Sequence, residues 1–268
     1  MKLRRGQIIA RSLVALGIAA SLWGCGQVTE KSDVKVTNGR EVKEGEYPSV
    51  VLLFDKAAGA ICTGTFINPT TVLTAAHCSM SGSINAEGEV NIQLSIINIK
   101  DAVKKEAEIV AESTRVVRNP LWDKNGGNVN GYDLSLVTFA PGVAKGVSAL
   151  ASQGARVGDR LEIVGFGLNQ ATDLKNTNSA GIKRVGTNKV TNVALGFIQF
   201  TGADKTSKAD GTNSSASSGD SGGPLFINGK VAGVTSGGGW GGFGKTQSLY
   251  IDLSSDSSQE FLNTYLSE

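Results

Sequence analysis

"SSASSGDSGGPLF", residues 214–226, decides how the rest of the chain reads. Its first ten residues are serine, glycine, one alanine and one acid, a composition that stays solvated in linkers. Yet it runs straight into Pro224-Leu225-Phe226-Ile227, the apolar opening of a strand. Gly219 and Gly222 bracket Asp220-Ser221, so the backbone can turn tightly there and present the Ser221 hydroxyl outward. The amides of Gly219 and Ser221 then face one point, where a carbonyl oxygen gaining negative charge would be stabilised. Asp220, in the middle of the turn, needs a cation or dense hydrogen bonding if it is buried.

A serine hydroxyl is a poor nucleophile without a base. The chain of 268 residues has one histidine, His77, inside "LTAAHC". A lone histidine means little by itself. It gains meaning beside a candidate nucleophile, because imidazole titrates close to neutral pH.

Around these segments the chain is about 40% apolar and carries a formal net charge of +2. That length supports a large buried core, and the near-neutral charge gives no electrostatic case for nucleic acid. "YPSVVLLF", "TTVLTA", "VNIQLSIINI", "RLEIVGFG", "NKVTNV" and "GKVAGVTS" are short, β-branched and bounded by Gly, Asn, Asp and Ser. They predict an all-β domain. "SSQEFLNTYLSE" is the exception: Phe261, Leu262, Tyr265 and Leu266 fall at helical spacing behind a Ser257/Glu260 capping box.

The N-terminus reads as a secretory signal over residues 1–24, with Lys2, Arg4, Arg5 and Arg11 before the apolar run Leu13–Ala20. It ends at "LWGC", which resembles a bacterial lipobox with Cys25 as the acylated residue. An ordinary signal peptide with an incidental cysteine is the other reading. Residues 25–35 are polar, a spacer or propeptide. If Cys25 carries lipid, Cys62 and Cys78 remain as one pair in a disulfide-permissive compartment. They flank two strand-like runs joined at Asn68-Pro69-Thr70, a hairpin able to bring the two sulfurs together. Two free thiols are the alternative. No CxxC or His/Cys spacing suggests zinc.

"LTAAHC" and "GDSGGP" together resemble the two signature segments of the trypsin/chymotrypsin-like serine proteases, and the resemblance runs from about Val36 to the end. "GYDLSLVTF" resembles the family's Asp-containing strand and places the third triad member at Asp133. "VVRNPLW" precedes it as the family's lead-in does, and "EIVGFG" resembles the opening strand of the second barrel. The order His, Asp, Ser fits this family rather than subtilisins or α/β-hydrolases. The resemblance implies two six-stranded antiparallel β-barrels, about 36–145 and 146–250, with the cleft between them and a helix over about 256–267. It implies His77, Asp133 and Ser221 as the triad, Gly219 and Ser221 as the oxyanion hole, and Ser236 as the serine bonded to the triad Asp.

"VTNGREVKEGEYPSV" aligns with the start of the mature family domain. Cleavage at Lys35–Val36 would free an α-amino group to pair with Asp220. Ser215, six residues before the nucleophile, falls at the family's pocket floor, and Gly238 and Ser248 at its walls. With no acid at 215, a neutral P1 residue is expected. Ser217 stands where a pocket cysteine is common, and Gly237 where an aromatic residue is common. No cofactor or metal is expected; the partners are protein or peptide substrates and a separate trypsin-like activating protease. The expected form is a monomer, held at the cell envelope through Cys25 before activation and released after it. A catalytically silent homologue serving as a binding module is the rival reading.

Overall fold

The computed structural model describes residues 36–101, 106–169 and 179–266. The proposed signal, Cys25 and Lys35 lie outside these residues. In chain order the strands are β1 (Arg40–Glu41), β2 (Val50–Asp55), β3 (Ala60–Phe66), β4 (Thr71–Thr74), β5 (Ser83–Ile84) and β6 (Val90–Asn91). Next come β7 (Leu94–Asp101), β8 (Glu106–Glu112), β9 (Arg115–Arg118), the short helix α1 (Pro120–Lys124) and β10 (Ser135–Thr138). The second half holds β11 (Arg160–Gly165), β12 (Arg184–Lys189), β13 (Asn192–Ala194) and β14 (Phe197–Ala203). It closes with β15 (Pro224–Ile227), β16 (Lys230–Trp240), β17 (Lys245–Asp252) and the helix α2 (Asp256–Tyr265).

The strands form two large antiparallel sheets, ordered β8-β7-β2-β3-β4-β10-β9 and β1-β12-β11-β15-β16-β17-β14-β13. This is the all-β, two-barrel architecture that the resemblance implied. The strand counts are seven and eight rather than six and six. Part of the excess is β1: residues 40–41 pair with Val185 and Arg184 of β12, so the start of the domain belongs to the second sheet rather than the first.

Alternation explains the packing. β14 reads Phe-Ile-Gln-Phe-Thr-Gly-Ala, and its Ile198, Phe200 and Gly202 turn inward while their neighbours are half-buried. Phe200 stacks on Tyr250 of β17 at 5.6 Å, and both are fully buried. In the first sheet Phe66 packs against Phe139 at 5.9 Å. The loop at Asn68-Pro69-Thr70 is closed by Asn68 Oδ1, which accepts the amides of Thr70 and Thr71. α2 buries Phe261 and Leu262 as its spacing predicted. Its cap is corrected: Ser255, not Ser257, accepts the Ser258 amide. Ser257 instead donates to the Gly131 carbonyl.

Candidate active site

β4 and β10 are antiparallel neighbours with Thr74 opposite Ser135, so the end of one and the start of the other lie together. His77 follows β4 by three residues, in a 3₁₀ turn over Ala76–Ser79; Asp133 precedes β10 by two. The ladder thereby brings them together. Asp133 Oδ1 accepts the His77 amide at 3.0 Å, and Asp133 Oδ2 lies 2.8 Å from His77 Nδ1. An acceptor at Nδ1 selects the tautomer that leaves the lone pair on Nε2. Ser236, reaching across from β16, donates to the same Oδ2 at 2.6 Å. Asp133 is buried while His77 is about a quarter exposed.

The lead-in "VVRNPLW" positions Asp133. Asn119 caps α1 through the Leu121 amide, and its own amide bonds the Leu134 carbonyl. Arg118, buried, grips Asp123 with two N–H groups and sits 5.5 Å over the Trp122 ring. Cys62 and Cys78 form a disulfide with Cα atoms 6.1 Å apart, tying β3 to the turn that carries His77.

Ser221 is held by backbone. Its carbonyl accepts the Thr63 amide at 2.8 Å. Gly219 and Gly222 hold φ of +96° and +78°. A Cβ on Gly222 would meet Thr74 Oγ1 at 2.0 Å and the Thr63 carbonyl at 2.4 Å, so glycine is required there. The amides of Asp220, Gly222 and Gly223 are spent on the carbonyls of Ser217, Thr235 and Asp220. Those of Gly219 and Ser221 have no acceptor among the described residues, as an oxyanion hole requires. His77, Gly219 and Ser221 line one small cavity of about 120 Å³.

Thr63 was not among the residues the sequence singled out. It is fully buried, donates from Oγ1 to the Gly219 carbonyl at 2.9 Å and accepts the Phe166 amide at 3.2 Å. A threonine inside a strand buried on both faces, Cys62–Phe66, was the available signal.

Asp220 is buried, with Oδ1 accepting the Gly167 amide and Oδ2 the Ser217 amide, each at 2.8 Å. Burial pushes its carboxyl up to about 6, against the pull of these two amides and of Arg184. Val36 is buried in the second barrel, and Thr37 bridges to Ser215. Asn38 ties the segment down, accepting the amides of Ser207 and Lys208 and donating to the Thr212 carbonyl. Val36 holds φ of +48°, a left-handed conformation that costs a β-branched residue about 1–3 kcal/mol.

A cavity of about 400 Å³ opens beside Ser221 and is lined by Ala216–Ser218, Gly237–Trp240 and Thr246. Gly238 is on its wall as expected. Ser215 and Ser248 are not, which corrects their assignment as substrate contacts. Ser215 is fully buried and turns its hydroxyl away to the Ala203 carbonyl at 2.6 Å. Ser248 spends its hydroxyl on the Ala216 amide at 3.0 Å and so fixes the wall from behind. Asp204 and Lys245 reach this cavity instead, together with Trp240, an exposed aromatic three residues beyond Gly237. The cluster of Cys62, His77 and Cys78 is no metal site: both sulfurs are in the disulfide.

Comparison with known proteins agrees with this geometry. The trypsin family model matches residues 36–258. A beta-fibrinogenase of Macrovipera lebetinus is 30% identical over 79% of this chain and 79% of its own. The chymotrypsin-like protease VLCTLP of the same snake is 28% identical over the same shares. Kallikrein-8 of Rattus norvegicus is 26% identical over 80% of this chain and 79% of its own. The chain belongs to the trypsin family and is a serine-type endopeptidase.

Proposed function

We propose that this endopeptidase works through an acyl-enzyme, with Ser221 as nucleophile, His77 as general base and acid, and Asp133 orienting the imidazole. The observation that carries the reading is the clamp on Asp133: one carboxylate takes the His77 backbone, its Nδ1 and the Ser236 hydroxyl. Nε2 is then the basic atom. It takes the Ser221 proton as Oγ attacks the scissile carbonyl, and returns it to the leaving amine. Water then attacks the acyl carbonyl: Nε2 takes a proton from it and returns that proton to Ser221 Oγ as the ester bond breaks and the new carboxylic acid leaves. The unspent amides of Gly219 and Ser221 receive the oxyanion in both halves.

The S1 pocket takes a neutral P1 side chain. Ser215 brings no charge to it, and Asp204 and Lys245 contribute opposite charges. The measurement is kcat/KM on matched peptides differing only at P1. Leu or Phe above Arg and Lys supports the reading. A clear Arg preference would mean that Asp204 acts unopposed, and Asp204→Asn would then abolish it.

The enzyme is made as an exported precursor: signal over residues 1–24, lipid on Cys25, spacer to Lys35. Cleavage at Lys35–Val36 by a trypsin-like protease raises activity and frees the domain from the membrane. Supporting this, Val36 lies buried in the second barrel, its neighbour Thr37 bridges to Ser215, and its strained φ ends once no carbonyl precedes it. Fractionating cells that make wild type or Lys35→Gln, then sequencing the N-terminus of the soluble form, tests it. A soluble form starting at Val36 is expected, and an active enzyme still anchored with residues 25–35 intact refutes it.

A further inference from the structure

Arg184 is the largest fully buried side chain of the described residues, and its charge is poorly matched. One terminal nitrogen, Nη1, donates to the Ile182 and Ser179 carbonyls. Nε and Nη2 have no hydrogen-bond partner among the described residues, and Glu41, more than half exposed, stands 3.7 Å from Nη2. Burial pulls the guanidinium down to about 9. A buried cation with two nitrogens outside hydrogen bonds and only a half-exposed acid nearby is destabilising unless another state or another charge uses it.

The sheet register shows which charge that is. Arg184 is the cross-strand partner of Gly165 on the β11–β12 ladder, so the two positions present side chains on one face. Gly165 has no side chain, and a Cβ built there would meet Asp220 Oδ1 at 2.1 Å. The Asp220 carboxylate thus lies over Gly165 on the face that carries Arg184, beyond direct ion-pair contact but within electrostatic reach of the guanidinium. Two residues along β12, on the same face, a Cβ on Gly186 would touch Val36 Cγ1 at 3.0 Å. Asp220, Arg184 and the Val36 segment therefore share one buried face. Tyr250 is the other titratable group in the electrostatic reach of Asp220.

We propose that Arg184 is the internal counter-ion of Asp220, a positioning residue that keeps the Ser217–Ser221 turn in working shape while the Lys35–Val36 bond is intact. The inference rests on the cleavage proposed above and deepens it. Before cleavage no α-amino group is present, and the Asp220 charge has only two amides and this guanidinium. After cleavage the amino group of Val36 takes over most of the task, and the φ strain at Val36 ends with the bond. The uncut enzyme is then slow rather than silent.

The test uses the full chain. Lys35→Gln is the uncut form, and wild type cut by an added trypsin-like protease is the active form. Both are assayed by kcat/KM on one neutral-P1 peptide, with Ser221→Ala as background. Uncut enzyme should hydrolyse above that background, and Arg184→Met should lower its rate about tenfold or more. Arg184→Lys should restore most of it. In the cut form Arg184→Met should cost no more than about threefold, because the new amino group supplies the charge. Thermal unfolding of each variant comes first. If Arg184→Met does not fold, Arg184→Gln, which keeps hydrogen bonding without charge, replaces it under the same expectations. Equal losses in cut and uncut forms would mean a packing role and overturn the inference. So would an uncut rate at background, or one indifferent to Arg184. Inactive cut wild type is a different result: it refutes the proposed catalytic residues themselves.

Discussion

In the first barrel the proposed base and its carboxylate are fixed by side chains and a covalent staple: His77 on Asp133, and Cys62 joined to Cys78. In the second barrel Ser221, the two unspent amides and the pocket wall are held by the main chain, with glycines where any Cβ would collide. The first arrangement is rigid once the ladder β4–β10 has formed. The second depends on one buried acid, Asp220, bonded to the amides of Gly167 and Ser217. Backbone construction gives close approach to a substrate carbonyl, and it leaves the geometry open to control through a single charge. The two halves meet at Ser236, which donates to Asp133, and at Thr63, whose hydroxyl and amide donate to the carbonyls of Gly219 and Ser221.

The largest effect should come where the halves act as a unit. Ser221→Ala and His77→Ala should each lower kcat by roughly 10⁴ or more, and the double variant should be little worse than either. Additive losses would show that the two side chains do not share one step. Asp220→Asn should come next, reducing kcat/KM of the cut enzyme by about 10²-fold, because the ionised partner of the Val36 amino group is lost. The same variant has a pH signature. A carboxyl raised to about 6 takes up protons on folding between its ordinary range and pH 6. Its contribution to stability therefore falls as pH rises through that window and is flat above it. In the uncut Lys35→Gln chain, where no Val36 amino group faces the carboxylate, denaturation across pH 4–7 should show this falling slope relative to the same chain carrying Asp220→Asn.

Thr63→Val is close to isosteric and removes one hydroxyl that joins the barrels, leaving Ser236 on Asp133 in place. It should lower kcat about tenfold with little change in KM, and Thr63→Ser should recover it. A KM effect alone would place Thr63 in substrate binding instead. The smallest effect on rate is expected for the staple. Replacing Cys62 and Cys78 together by Ala should cost about 3 kcal/mol of stability for a loop of this length while changing kcat only a few-fold. A large loss of kcat with unchanged stability would reverse the contrast between the two halves.

What the sequence carried follows the same division. The meeting of His77, Asp133 and Ser236 was readable because short motifs preserve side-chain identity and order, and the roles proposed for them and for Ser221 rest on side-chain identity. Gly219 and Gly222 were readable because only glycine tolerates their φ. The pocket was less so. Ser215 and Ser248 were assigned by counting along the chain, but their hydroxyls turn to the Ala203 carbonyl and the Ala216 amide. Asp204 and Lys245 enter from loop ends whose path depends on tertiary packing. Thr63 and Arg184 share that difficulty: each acts on a turn more than thirty residues away, through a register that no local pattern encodes. The helix cap moved by two residues because four serines at 254–258 compete for it, and only the docked helix chooses Ser255.

The most direct test of the catalytic assignment is covalent labelling of the cut enzyme with a fluorophosphonate, followed by mass spectrometry of the peptide spanning residues 209–230. One adduct per chain is expected, on Ser221, absent from Ser221→Ala and strongly slowed in His77→Ala. An unlabelled chain with Val36 at its N-terminus, or an adduct on any other serine, would contradict it.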